Sequence, residues 1–159
     1  MAALMCADGA RLVTDDVLRV DADGAVTCVG GATELRLREK AAAIVEDDDE
    51  ATHTTADERL AYAPRTADGE AIPLAAIVIP SPSEDVDEVV VTQHAPHQAL
   101  FMMLEFPRVH GWSDAGVLQR DFATTGALTN LIPVYEAEIP WGPPFDPAIA
   151  PAIAALLDD

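Results

Sequence analysis

The chain has 159 residues, half of them hydrophobic, with a net charge of −19 and one lysine, Lys40. That length suits a single domain with a real core, and the apolar content excludes general disorder. The charge disfavours nucleic acid and anionic membrane surfaces as partners. No stretch approaches a transmembrane helix, and the start lacks the basic-then-apolar pattern of a signal peptide, so a soluble, cytoplasmic protein is expected.

Residues 1–7 read as a helix of good formers, ended by Asp8-Gly9. It has no N-cap and no preceding turn, which reads as the second half of a longer helix. Residues 12–14 form a short strand that leads into adjacent acids, Asp15 and Asp16. Residues 17–29 read as a hairpin turning at Asp21-Ala22-Asp23-Gly24, and Gly30-Gly31 as a loop. Residues 34–38 alternate polar and apolar, as a half-buried strand or a first helical turn would. The acidic run from Glu46 to Glu50 lacks the spacing and turn glycine of a calcium loop and reads as part of a solvated loop over 45–57.

Residues 59–63 suggest a strand, and 66–70 a turn. Residues 72–80, IPLAAIVIP, are the most continuous apolar run and read as one fully buried, central strand. Residues 88–93 form a strand with Val89 and Val91 on one side. Pro96 opens a helix that carries Leu100, Phe101 and Leu104 on one face and stops at Pro107. Ser113 or Asp114 caps a longer helix bearing Val117, Leu118, Phe122 and Leu128. Residues 132–139 form a late strand, Pro140-Trp141-Gly142-Pro143-Pro144 a rigid loop, and 147–157 a closing amphipathic helix. The order predicts an α/β or α+β domain with one mixed central sheet and flanking helices.

Chemistry-bearing patterns are few. Cys6 and Cys28 show neither metal-ligand spacing nor a disulfide framework. The histidines make no zinc pattern, and Pro96 breaks any helix across His94-Ala95-Pro96-His97. The acid pair is the sharpest feature. Two adjacent carboxylates repel unless water, a cation or a basic group offsets them. A Mg²⁺ ion carrying phosphate oxygens would do so; an ordinary acidic turn is the bland alternative. The eight arginines are scattered, and Arg65 and Arg108 read as surface or ion-pair residues more than as phosphate ligands.

The segment GARLVTDDVLRVDADGAV, residues 9–26, resembles the stretch after the phosphate-binding loop of HPr serine kinase/phosphorylase-like proteins. Those proteins share a P-loop fold with ATP-dependent phosphoenolpyruvate carboxykinase. PLAAIVIP at 73–80, QALFMML at 98–104 and RDFATTGALTNLIPVYEAEIP at 120–140 follow in the family's order. The resemblance implies one kinase-like domain over residues 1–159. Asp15 would accept the proton of the acceptor hydroxyl, and Asp16, with Glu34, would hold Mg²⁺; Asp15 and Asp16 are interchangeable in these roles. ATP and Mg²⁺ are the implied cofactors. The acceptor would be a protein serine or a small molecule, and an oligomer is compatible.

The family's GxxxxGK[ST] loop is absent; it would fall just before Met1, leaving residues 2–7 as the remainder of its helix. Glu34-Leu35-Arg36 matches the family's Glu-Ile-Arg, with no Gly-Leu-Gly after it. A phosphate loop is a nest of backbone N–H groups plus a lysine. Without it, the expectation is an HPr-kinase-like phosphotransferase chain inactive as it stands or, alternatively, a non-catalytic remnant serving as a binding or regulatory module.

Overall fold

The computed structural model describes residues 1–22, 24–45, 52–56, 59–106 and 113–157. The acidic run at 46–50, Pro107 and Arg108 lie outside the described residues.

The first helix, α1 (Ala2–Ala7), is too short to persist alone and is held by packing. It ends where Gly9 turns to φ 105° and its N–H reaches the carbonyl of Cys6 at 3.0 Å. Ala3 and Cys6, one turn apart, are buried in a cluster with Leu12, Leu35, Leu37, Val45 and Tyr62. Met1, Leu4 and Met5, on another face, pack against a second cluster of Ala137, Ile139, Ile149 and Ile153. Helical periodicity thus gives this one turn and a half two apolar faces.

Three small sheets surround the helix. Strands β1 (Arg19–Asp21) and β2 (Thr27–Val29) form the expected hairpin, extended by β6 (Ile72–Pro73) along β2. A second antiparallel sheet has the order β3 (Leu35–Leu37), β5 (Leu60–Tyr62), β4 (Thr52–Thr54). In β3 the alternation of Leu35, Arg36 and Leu37 puts both leucines inside and Arg36 outside, as a half-buried strand requires. Strand β4 corrects the loop expected over 45–57. A four-residue helix, α2 (Glu39–Ala42), follows β3.

The third sheet has β9 (Val134–Pro140) at its centre. It runs parallel to β7 (Ile77–Ser83) and antiparallel to β8 (Val90–His94). Val134 and Ala137 are essentially inaccessible, and the closing helix α5 (Ile149–Ala154) adds the fully buried Ile149. Val89 and Val91 both pack on this cluster, as their spacing predicts. A helical pair, α3 (Pro96–Met103) and α4 (Ala115–Leu131), joins β8 to β9. The Gln98 side chain accepts from the Ala95 N–H at 3.2 Å, and Asp114 caps α4 by accepting from the Val117 N–H at 2.9 Å.

The fold is therefore mixed α and β, but the single central sheet and the P-loop kinase architecture are both corrected. The run 72–80 is not one buried strand. The Leu74 N–H donates to the Val26 carbonyl at 3.0 Å, holding β6 to β2, while the Ile77 N–H donates to the Pro133 carbonyl at 3.0 Å, starting β7 beside β9. Two different partners capture the two ends of one apolar run. As an edge strand, β7 tolerates Pro80 and Pro82, and Ile77, Val78 and Ile79 are only half-buried. Phe101 departs from its expected place too, being 66% exposed. Among the described residues no helix is long and apolar enough to cross a membrane.

This difference in burial is measurable. Ile149→Ala should lower the unfolding free energy by about 2–5 kcal/mol in a denaturant titration, and Ile79→Ala by less than half as much.

Candidate functional site

The acid-bearing stretch is pinned on both sides although it is not a strand. Leu12 bridges Thr66: its N–H donates to the Arg65 carbonyl at 2.8 Å, and its carbonyl accepts from the Ala67 N–H at 2.9 Å. On the other side the Gly31 N–H donates to the Val13 carbonyl and the Asp15 N–H to the Ala32 carbonyl, each at 3.0 Å. The approach is close enough that a Cβ at Gly31 would collide with Thr14 Oγ1. The Thr14 hydroxyl itself donates to the Val17 carbonyl at 3.1 Å.

This anchoring aims Asp15 at a cleft of about 350 Å³. Its walls include Leu4 of α1, Leu35 and Leu37 of β3, Ile44, and Ile139, Trp141 and Phe145 at and beyond the end of β9. Among the described residues, Asp15 and Arg36 are the charged side chains on the lining. The Trp141 N–H donates to the Ser83 carbonyl at 3.0 Å, which carries the β7–β9 pairing one residue beyond the strand and fixes the start of the 140–147 loop. There Phe145 lies across Gly142; a Cβ at that glycine would stand 2.5 Å from the ring. The peptide bonds on either side of Pro143 are both cis.

A second cleft, of about 440 Å³, shares Leu4, Ile44 and Phe145 with the first and continues along Ala7, Asp8, Pro143, Pro144 and Asp146. The two clefts, together the groove beside α1, are mostly apolar. Among the described residues their charged side chains are Asp15 and Arg36 on the first lining and Asp8 and Asp146 on the second, and Asp146 also accepts from the Ala148 N–H at 2.8 Å.

Burial lifts the Asp15 carboxyl above the ordinary carboxylate range; the adjacent Asp16 charge lifts it further, and the Arg36 guanidinium draws it back. The structure brings Asp15 and α1 to one cleft but leaves the other expected site residues apart. Asp16 is exposed and absent from the lining. Glu34 sits outside the lining, with its carboxylate 3.9 Å from His53 Nε2. Among the described residues no three His, Cys, Asp or Glu side chains form a set able to hold a metal ion. Arg65 is exposed and serves Leu12 through its carbonyl. His94 meets Glu136 at 3.2 Å. The groove residues that sequence reasoning missed are Arg36, Trp141 and Phe145. The signal for Trp141 and Phe145 was the aromatic-bracketed Pro-Trp-Gly-Pro-Pro-Phe at 140–145; Arg36 had only its place in the Leu35-Arg36-Leu37 alternation.

No family model matches the chain, and neither a curated protein nor a solved structure matches it. The likeness to HPr-kinase-like proteins rests on the sequence segments alone.

The position of Asp15 has a pH signature. The folded protein holds its proton more tightly than the unfolded chain. Its stabilising contribution is therefore full below the ordinary carboxylate range and is lost as pH rises through the raised value. Asp15→Asn should melt above the wild type near pH 7, with the gap closing as pH falls below the ordinary aspartate value. Thermal scans showing the variant less stable near neutrality would contradict this.

Proposed function

We propose that the chain is a binding module whose groove around α1 holds an extended apolar segment flanked by basic residues. The observation that carries this reading is the lining of the two clefts, mostly apolar walls with Asp15 beside Arg36 on the first and Asp8 and Asp146 on the second. Apolar walls supply affinity in such grooves, and a few charges set orientation. The chain's net charge of −19 adds long-range attraction for a basic partner. Trp141, 62% exposed at the mouth, offers an aromatic face to a guanidinium or an apolar side chain.

The phosphotransferase reading has one supporting observation, the meeting of Asp15 and α1 at a common cleft. In it Asp15 serves the acceptor hydroxyl, and Asp16 and Glu34 serve Mg²⁺·ATP. The side chains do not fit that role well. Asp16 and Glu34 are absent from the cleft lining, and the one lysine, Lys40, is absent from it too. Phosphoryl transfer depends on positioning and charge neutralisation, which two acids without a phosphate cradle do not supply. The binding reading is therefore preferred, and it expects no micromolar affinity for ATP·Mg²⁺ by calorimetry.

A direct test uses an acetylated, amidated peptide Arg-Leu-Phe-Leu-Arg, titrated calorimetrically, with the glutamate-flanked equivalent as control. The basic peptide should bind at least tenfold more tightly. Trp141→Ala should weaken it about tenfold, or about 1.4 kcal/mol, without moving the melting temperature. Equal affinity for both peptides, or no effect of Trp141→Ala, would refute the groove as the site.

A further inference from the structure

The helical pair α3–α4 carries an apolar surface separate from the groove. Phe101 is 66% exposed, Phe106 64%, Phe122 52%, Leu118 49% and Leu104 37%. Leu104, Phe106 and Leu118 border a hollow of about 300 Å³ between the two helices, with Asp121 at its edge. Single exposed apolar residues are ordinary, but these five, three on the two helices and Leu104 and Phe106 just past α3, signal a contact surface.

Charge identifies the occupant. Residues 96–131 contain three acids, Glu105, Asp114 and Asp121, and two arginines, Arg108 and Arg120, a net charge of −1. The other 123 residues carry the remaining −18. A second copy carries the same excess of acid, so contact between copies is least opposed where the charge is lowest, and 96–131 is the longest such stretch that also exposes several large apolar side chains. A basic partner would be drawn to the acidic surfaces instead. Arg120 and Asp121, both exposed on α4, are neighbouring opposite charges that a two-fold contact can pair across copies. The five exposed side chains offer about 500 Å² per copy, so about 1,000 Å² across a pair, the lower bound for a specific interface.

We infer that two copies of this chain associate through their α3–α4 surfaces, pairing neutral apolar faces across a two-fold axis. Apolar burial holds the dimer, and the net charge of each copy opposes it. Added salt screens the repulsion and leaves the apolar contact in place, so the dimer tightens as salt rises.

Sedimentation velocity at about 5–200 μM protein tests this. The wild type should approach twice the 16.8 kDa chain mass. Its dissociation constant should fall about tenfold or more between 0.1 and 1 M NaCl. Phe122→Glu and Phe101→Glu should each give a monomer over that range, with unchanged circular dichroism and melting temperature. A wild type that stays monomeric at the highest protein and salt concentrations would assign the face to a different chain and overturn the inference. So would a dimer that weakens with salt, or one that survives both substitutions.

Discussion

The structure depends on α1 being apolar on two faces. Ala3 and Cys6 enter the cluster built on β3 and β5, while Met1, Leu4 and Met5 lie against the cluster built on β9 and α5. Among the described residues no strand pairing joins the β3–β5–β4 sheet to the β7–β9–β8 sheet. Between two clusters without a shared hydrogen-bond ladder, side-chain packing is the connection, and a six-residue helix provides it. The groove follows from the same arrangement. A helix this short covers only a limited length of the space it packs into, so clefts remain beside it, and Leu4 borders both.

The rest of the molecule holds that groove in shape. Strand β9 is hydrogen-bonded on both sides and ends at Pro140, where Trp141 is tied to Ser83. The 140–147 loop then runs back to α5, whose Ile149 is fully buried in the cluster that α1 touches. On the opposite wall, bonds from Leu12 to the 65–67 segment and from Asp15 to Ala32 hold the carboxylate at the cleft without a strand. Partial burial at this spot raises the Asp15 carboxyl above its ordinary value.

Local structure was legible wherever the signal was local. The turn before Gly24, the stop at Gly9, the Leu35-Arg36-Leu37 alternation and the Asp114 cap each marked a hairpin, helix end, strand or helix start that the structure contains. Pairing was less legible, because it depends on partners far along the chain. Nothing in IPLAAIVIP says that Leu74 will bond Val26 and Ile77 will bond Pro133, so an apolar run read as one buried strand became two. The acid pair drew attention through its neighbours in sequence, yet only Asp15 lines the cleft. Arg36 stood out in the sequence only as the polar member of an alternation, since its cleft is completed by a loop about a hundred residues later. A side-chain alternation of period two gives the face of a strand but not what lies across from it.

Native-state hydrogen exchange tests directly whether α1 unites the two clusters. In the wild type, the slowest amides of β5 and β9 should exchange through one shared opening with the same free energy and the same denaturant dependence. Ala3→Glu, which puts a charge into the first cluster, should separate them, with β5 opening at a lower free energy than β9. If β5 and β9 already open independently in the wild type, α1 does not join the two halves, and the account of the groove as a product of that junction is contradicted.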